Sequence, residues 1–129
     1  MDRRREELTA KLGEIEAEMR RIGFWDETAP GFAEVDDRHA IRSYLDAPSF
    51  EWWLQQMFLP NARRAVIEDS LPADSQVGEM ARRQYDYHSV VEEAHGLMRL
   101  LFQFDGMIVL YAAERTRTDS GPESQAPML

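Results

Sequence analysis

The chain has 129 residues, 24 acidic against 15 basic, a formal net charge of −9 and no cysteine. That length predicts a single domain, and the missing cysteines exclude disulfides, thiolate catalysis and cysteine-held metal clusters. So acidic a chain repels a phosphate backbone unless its arginines gather on one face. The clusters Arg3-Arg4-Arg5 and Arg63-Arg64 are each followed by acids, so direct nucleic-acid binding is not expected here or at Arg82-Arg83.

The N-terminal MDRRREELTA has acids straight after its basic run and no apolar stretch, so it does not read as a secretory signal. No apolar run looks long enough to cross a bilayer, and the expectation is a soluble cytoplasmic protein without membrane contact. Leu8, Leu12, Ile15, Met19 and Ile22 step by four, three, four and three, which predicts a first helix over residues 4–22 closed by Gly23. Residues 24–48, with Pro30, Gly31, Pro48 and several acids, predict a long connection with one helical turn near Ile41–Leu45.

The second helix, over residues 50–69 and capped by Asp46 or Ser49, is the distinctive one. Phe50, Trp52, Trp53, Leu54, Met57, Phe58 and Leu59 fall within ten positions, and Pro60 predicts a kink because it removes a backbone donor and presses on the carbonyl of Gln56. At about 100° per residue, Phe50, Trp53, Leu54, Met57 and Phe58 fill one arc, of which Trp53, Leu54 and Met57 are expected to be buried against Leu12–Met19 and Leu97–Leu101. Trp52, Leu59 and Val66, spaced by sevens with Arg63 at their edge, form a second stripe nearly opposite. Either the helix is buried on both sides or the second stripe is an exposed partner surface. Trp52, Leu59, Arg63 and Val66 are the candidate partner-binding residues.

Asp69 to Asp74 reads as a turn, and Ser75 as the cap of a third helix over residues 76–85. A fourth helix over 89–104 has Val90, Ala94, Leu97, Leu101 and Phe104 on one face and Glu92, His95, Arg99 and Gln103 on the other. Asp105-Gly106 weakens it, and Met107–Ala113 either continues the helix after a kink or is extended. The Thr-, Ser-, Gly- and Pro-rich residues 115–129 predict a disordered tail after a domain of residues 1–114. The predicted fold is an all-α single-domain bundle of four helices.

Little in this pattern carries chemistry. His88, Glu92 and His95 are spaced to share a helix face, but it is the polar face and a fourth ligand is lacking, so no metal is expected. There is no G-x-S-x-G elbow and no phosphate-cradling glycine loop. Catalytic residues, cofactors and enzyme activity are therefore not expected.

IEAEMRRIGFW (15–25), the core SFEWWLQQMFLP (49–60), Leu71-Pro72 and the Ser75, Val77, Met80, Ala81 start resemble the YqcC-like proteins, small all-helical bacterial domains, over about residues 8–105. The resemblance implies an association with a tRNA pseudouridine synthase, beside whose gene those of the family commonly lie. Two functions stand together: a non-catalytic acidic protein-binding module, or an accessory factor of that tRNA-modifying enzyme. The partner is expected to be a protein, with weak self-association as a further expectation.

Overall fold

Asp2 accepts a hydrogen bond from the Arg5 amide at 2.9 Å and starts α1 (Arg3–Arg21). Leu8, Leu12, Ile15 and Met19 are all buried on its inner face. Gly23 adopts φ +80°, a left-handed conformation that glycine takes without Cβ strain, and the Phe24 amide returns to the Met19 carbonyl at 2.8 Å. The computed structural model describes residues 1–39, 41, 43–87 and 90–125, with the side chains of all of these except 36–39 and 118–125.

The stretch expected as a connection holds α2 (Phe32–His39) and a 3₁₀ turn at Tyr44–Asp46 capped by Ser43. Val35 is the one buried side chain described in α2, so periodicity had too little to act on. Val35, Ile41 and Trp52 form a small apolar cluster of their own.

The predicted second helix is continuous from Phe50 to Glu68 but not uniform. Ser49 Oγ accepts from the Trp52 amide at 3.0 Å and opens α3 (Phe50–Trp53). A π-helical turn follows at Leu54–Phe58, then α4 (Leu59–Glu68), and the Leu59 amide donates to Leu54, five residues back. Pro60 is the second residue of α4, and the wider turn just before it relieves the clash expected at Gln56. Asp69 closes α4 in a left-handed conformation at φ 55°. The guanidinium of Arg5 donates to the carbonyls of Val66 and Ile67 at 2.6–2.8 Å, satisfying acceptors left over at the helix end.

In α5 (Val77–Tyr85) the cap comes from elsewhere than Ser75. Asp105 accepts from the amides of Val77 at 3.1 Å and Gly78 at 2.7 Å, and Ser75 Oγ donates to the same carboxylate at 2.6 Å. Burial pushes the Asp105 carboxyl up against these three hydrogen bonds, with Asp74 adding to the rise. α6 (His95–Gln125) follows a 3₁₀ turn at Glu92–Ala94 and runs straight through Asp105-Gly106. It therefore starts later and ends later than residues 89–104. Met107–Ala113 is helical, and its Ile108 and Tyr111 are buried. Of the segment read as a tail, the backbone is described to Gln125, and residues 126–129 lie outside the described residues.

All described elements are helical, with no strand among the described residues. α1 packs against α4 and α6, and α5 lies along α6. Leu8, Leu12, Ile15, Leu54, Leu59, Leu97, Leu101 and Ile108 make the centre of the core. The sequence showed no membrane-length run, yet Glu92–Arg117 is one helix long and apolar enough to cross a membrane by length and composition. It reaches that composition by carrying two apolar faces, one of them packed on α1 and α5.

Candidate functional site

Of the two readings of the Phe50–Glu68 helix, the structure bears out the one in which the second stripe is buried, and Phe50 and Leu54 of the first arc are buried as well. Leu59 and Val66 are 0% and 1% exposed and belong to the main core with α1. Trp52 is 6% exposed, packs on Val35 and Ile41, and donates its indole N–H to the Pro30 carbonyl at 2.7 Å. Arg63, partly exposed, reaches Glu16 of α1 at 2.9 Å. The proposed partner stripe is therefore core, covered by the chain's own α1 and by Ala29, Pro30, Val35 and Ile41. It is not even one stripe, because the π turn shifts the helix register by one residue, roughly 100° of rotation, between Trp52 and Leu59.

Burial alone would raise the Glu16 carboxyl, but hydrogen bonds from Arg63 and Arg20 outweigh it and hold it below the usual carboxylate range. A carboxyl depressed in the folded state stabilises above its unfolded pKa and loses that contribution as pH falls through the folded value. Thermal midpoints should therefore drop as pH is lowered from about 4, the ordinary carboxylate value. Arg63→Ala should shrink that acid-side drop, and melts recorded between neutral and acid pH would show it. An unchanged drop would mean the pair contributes nothing to folding.

The arc expected inside is half open. Phe50 and Leu54 are buried, but Trp53, Met57 and Phe58 are only partly covered. Trp53 stacks on Phe58 with ring centroids 5.9 Å apart, and Phe58 meets Phe104 of α6 edge-on at 5.4 Å. Tyr44 and Phe50 hold the other side of Trp53, at 5.9 and 5.7 Å. Between this wall and the Leu71-Pro72 turn lies a cavity of about 460 Å³, within the size range of ligand pockets. Its polar edge is Ser43, Asn61 and Ser75, and among the described residues no charged side chain lines it.

Beyond Leu71-Pro72 the groove continues into a smaller pocket of about 220 Å³ containing Asp69, Tyr111 and Arg115. Tyr111 donates its hydroxyl to Asp69 at 2.7 Å and Arg115 pairs with the same carboxylate; these hydrogen bonds hold Asp69 below the usual carboxylate range. The sequence marked Leu71-Pro72 as a turn and Phe104 as core. Nothing in local periodicity signals that they face Trp53 and Phe58.

On the opposite side a cavity of about 480 Å³ is lined by Phe24, Asp26, Glu51, Trp52 and Gln55. Gln55, buried, accepts from the Asp26 amide at 3.0 Å and donates to the Asp26 carbonyl at 2.7 Å. Glu51 accepts from the Tyr85 hydroxyl, whose pKa burial raises strongly. Trp52 and Gln55 thus fasten the Phe24–Pro30 loop, and their side-chain polar atoms are already engaged. Of the metal triad, His88 lies outside the described residues, while Glu92 and His95 are exposed. No group of three His, Cys, Asp or Glu side chains suited to a metal occurs among the described residues.

A family model, DUF446, described as tRNA pseudouridine synthase C, matches residues 7–107. No curated protein and no solved structure matches the chain significantly.

Proposed function

The chain belongs to that family, matched over most of its length, and from this premise we propose that it is a non-catalytic accessory protein docking a tRNA-modifying enzyme through the Trp53–Phe58–Phe104 groove. The groove carries the reading. It is aromatic, partly open and uncharged along its described lining, which suits the apolar face of a helix laid into it. Aromatic side chains in such a setting supply most of the binding energy of an interface. The net charge of −9 favours a basic, RNA-handling enzyme over the RNA itself.

Isothermal titration against a purified tRNA pseudouridine synthase from the same cells tests the proposal. Binding is expected, and Asn61→Arg, a charge placed at the exposed rim, should weaken it about tenfold or more, which is about 1.4 kcal/mol. Ile67→Asp, exposed on α4 and outside the groove lining, should leave affinity unchanged. Absence of binding, or equal effects of the two substitutions, would remove the docking site. Conversion of uridine to pseudouridine in tRNA by this chain alone would overturn the non-catalytic part.

A further inference from the structure

The outer face of α6 is apolar where the fold leaves it uncovered. Phe102, Val109 and Leu110 are 44%, 46% and 57% exposed, and Gly106 and Ala113 are exposed between and beside them at helical spacing. Nothing lies within 4 Å of the point where a Gly106 Cβ would stand. Glycine inside a helix is disfavoured relative to alanine, and here no turn, cap or internal close approach requires it. The charges along this face are ordered. Glu92 and Glu93 are exposed at its start, Arg99 lies one turn before Phe102, and Arg117 is exposed at its far end.

We propose that two copies of this chain associate through this face, their α6 helices antiparallel and crossing at Gly106. Counting outward from that crossing, Arg99 of one copy meets Ala113 of the other, whose small side chain leaves room for it. The Glu92–Glu93 end of each copy meets Arg117 of the other. A parallel pairing would instead stack Arg99 on Arg99, Arg117 on Arg117 and the acids on the acids. The antiparallel arrangement also opposes the helix dipoles and is closed by a two-fold axis, so it stops at a dimer. Gly106 at the axis lets the backbones approach, with Val109 and Leu110 of each copy packing beside the crossing. Gln103, at the border with α1, accepts from Lys11 at 2.8 Å, and Arg99 in mid-face fits a protein partner better than a hydrocarbon layer. The face is separate from the groove, which Phe104 and Ile108 line from another side of α6, so this inference stands whether or not the docking proposal does.

Sedimentation of the full chain over a concentration series should show the 15.0 kDa monomer giving way to a species of twice that mass. Leu110→Glu should hold it at the monomer with an unchanged circular dichroism spectrum. Arg117→Glu should weaken dimerisation about tenfold, and adding Glu92→Arg with Glu93→Arg should restore it. The chain has no cysteine, so single introduced thiols report the geometry directly: under mild oxidation Gly106→Cys should cross-link to itself and Arg117→Cys should not. A monomer at every concentration, an unchanged mass for Leu110→Glu, or equal cross-linking at both positions would overturn the proposal. So would a monomer that sediments with anionic lipid vesicles and loses that in Leu110→Glu, which would assign the face to a membrane surface.

Discussion

Leu59→Asp is expected to unfold the protein at room temperature. Leu59 is fully buried within the main core, among Leu8, Leu12, Ile15 and Met19 of α1. Truncating a buried leucine to alanine costs about 2–5 kcal/mol through lost apolar transfer and the cavity left behind. Aspartate adds the desolvation of a carboxylate among those apolar side chains. Against a total stability of about 5–15 kcal/mol for a domain, the alanine variant stays folded with a lowered midpoint while the aspartate variant does not. Circular dichroism and urea titration of the two variants check this. A folded Leu59→Asp would put Leu59 at the surface and return Trp52, Leu59 and Val66 to candidacy as an interface. Trp53→Ala is the paired measurement: the half-open Trp53 should cost less than the roughly 3–5 kcal/mol of a fully buried aromatic.

That pair of variants also marks the limit of what the sequence could tell. The first helix was legible to within a residue, because Leu8, Leu12, Ile15 and Met19 repeat at one spacing and Gly23 ends it. The bounds of the second were legible too, from Ser49 and the turn at Asp69 to Pro72. Its facing was not. A helical wheel assumes a constant angle per residue, and the π turn at Leu54–Phe58 breaks that assumption in mid-helix. Pro60 announced a disturbance but not its form. The groove was hidden for a different reason: Trp53, Leu71 and Phe104 come together only through tertiary packing, and each looks locally like ordinary core or turn. Asp105 shows the same limit. It reads as a helix breaker beside Gly106, and its actual work is to cap α5 from a neighbouring helix.

Gly78→Ala should destabilise the protein even though alanine is the better helix former. A Cβ on Gly78 would stand 2.7 Å from the Phe102 ring and 2.9 Å from Phe102 Cα. A ring can turn away, but Cα belongs to the backbone of α6, so relief requires α5 and α6 to move apart. Those helices lie along one another. Separating them stretches the bonds from Asp105 to the Val77 and Gly78 amides, which close the first turn of α5. The propensity gain of about 1 kcal/mol is set against overpacking of roughly 1–3 kcal/mol and part of a cap worth about 0.5–2 kcal/mol. The net expectation is a loss, larger for Gly78→Val, with α5 amides exchanging hydrogen faster than those of α1. Gly106→Ala is the control, since nothing stands near its Cβ position and the monomer should gain slightly. If Gly78→Ala proved as stabilising as Gly106→Ala, the close contact of α5 with α6 would be wrong, and with it the placement of Phe102 at the edge of the outer face.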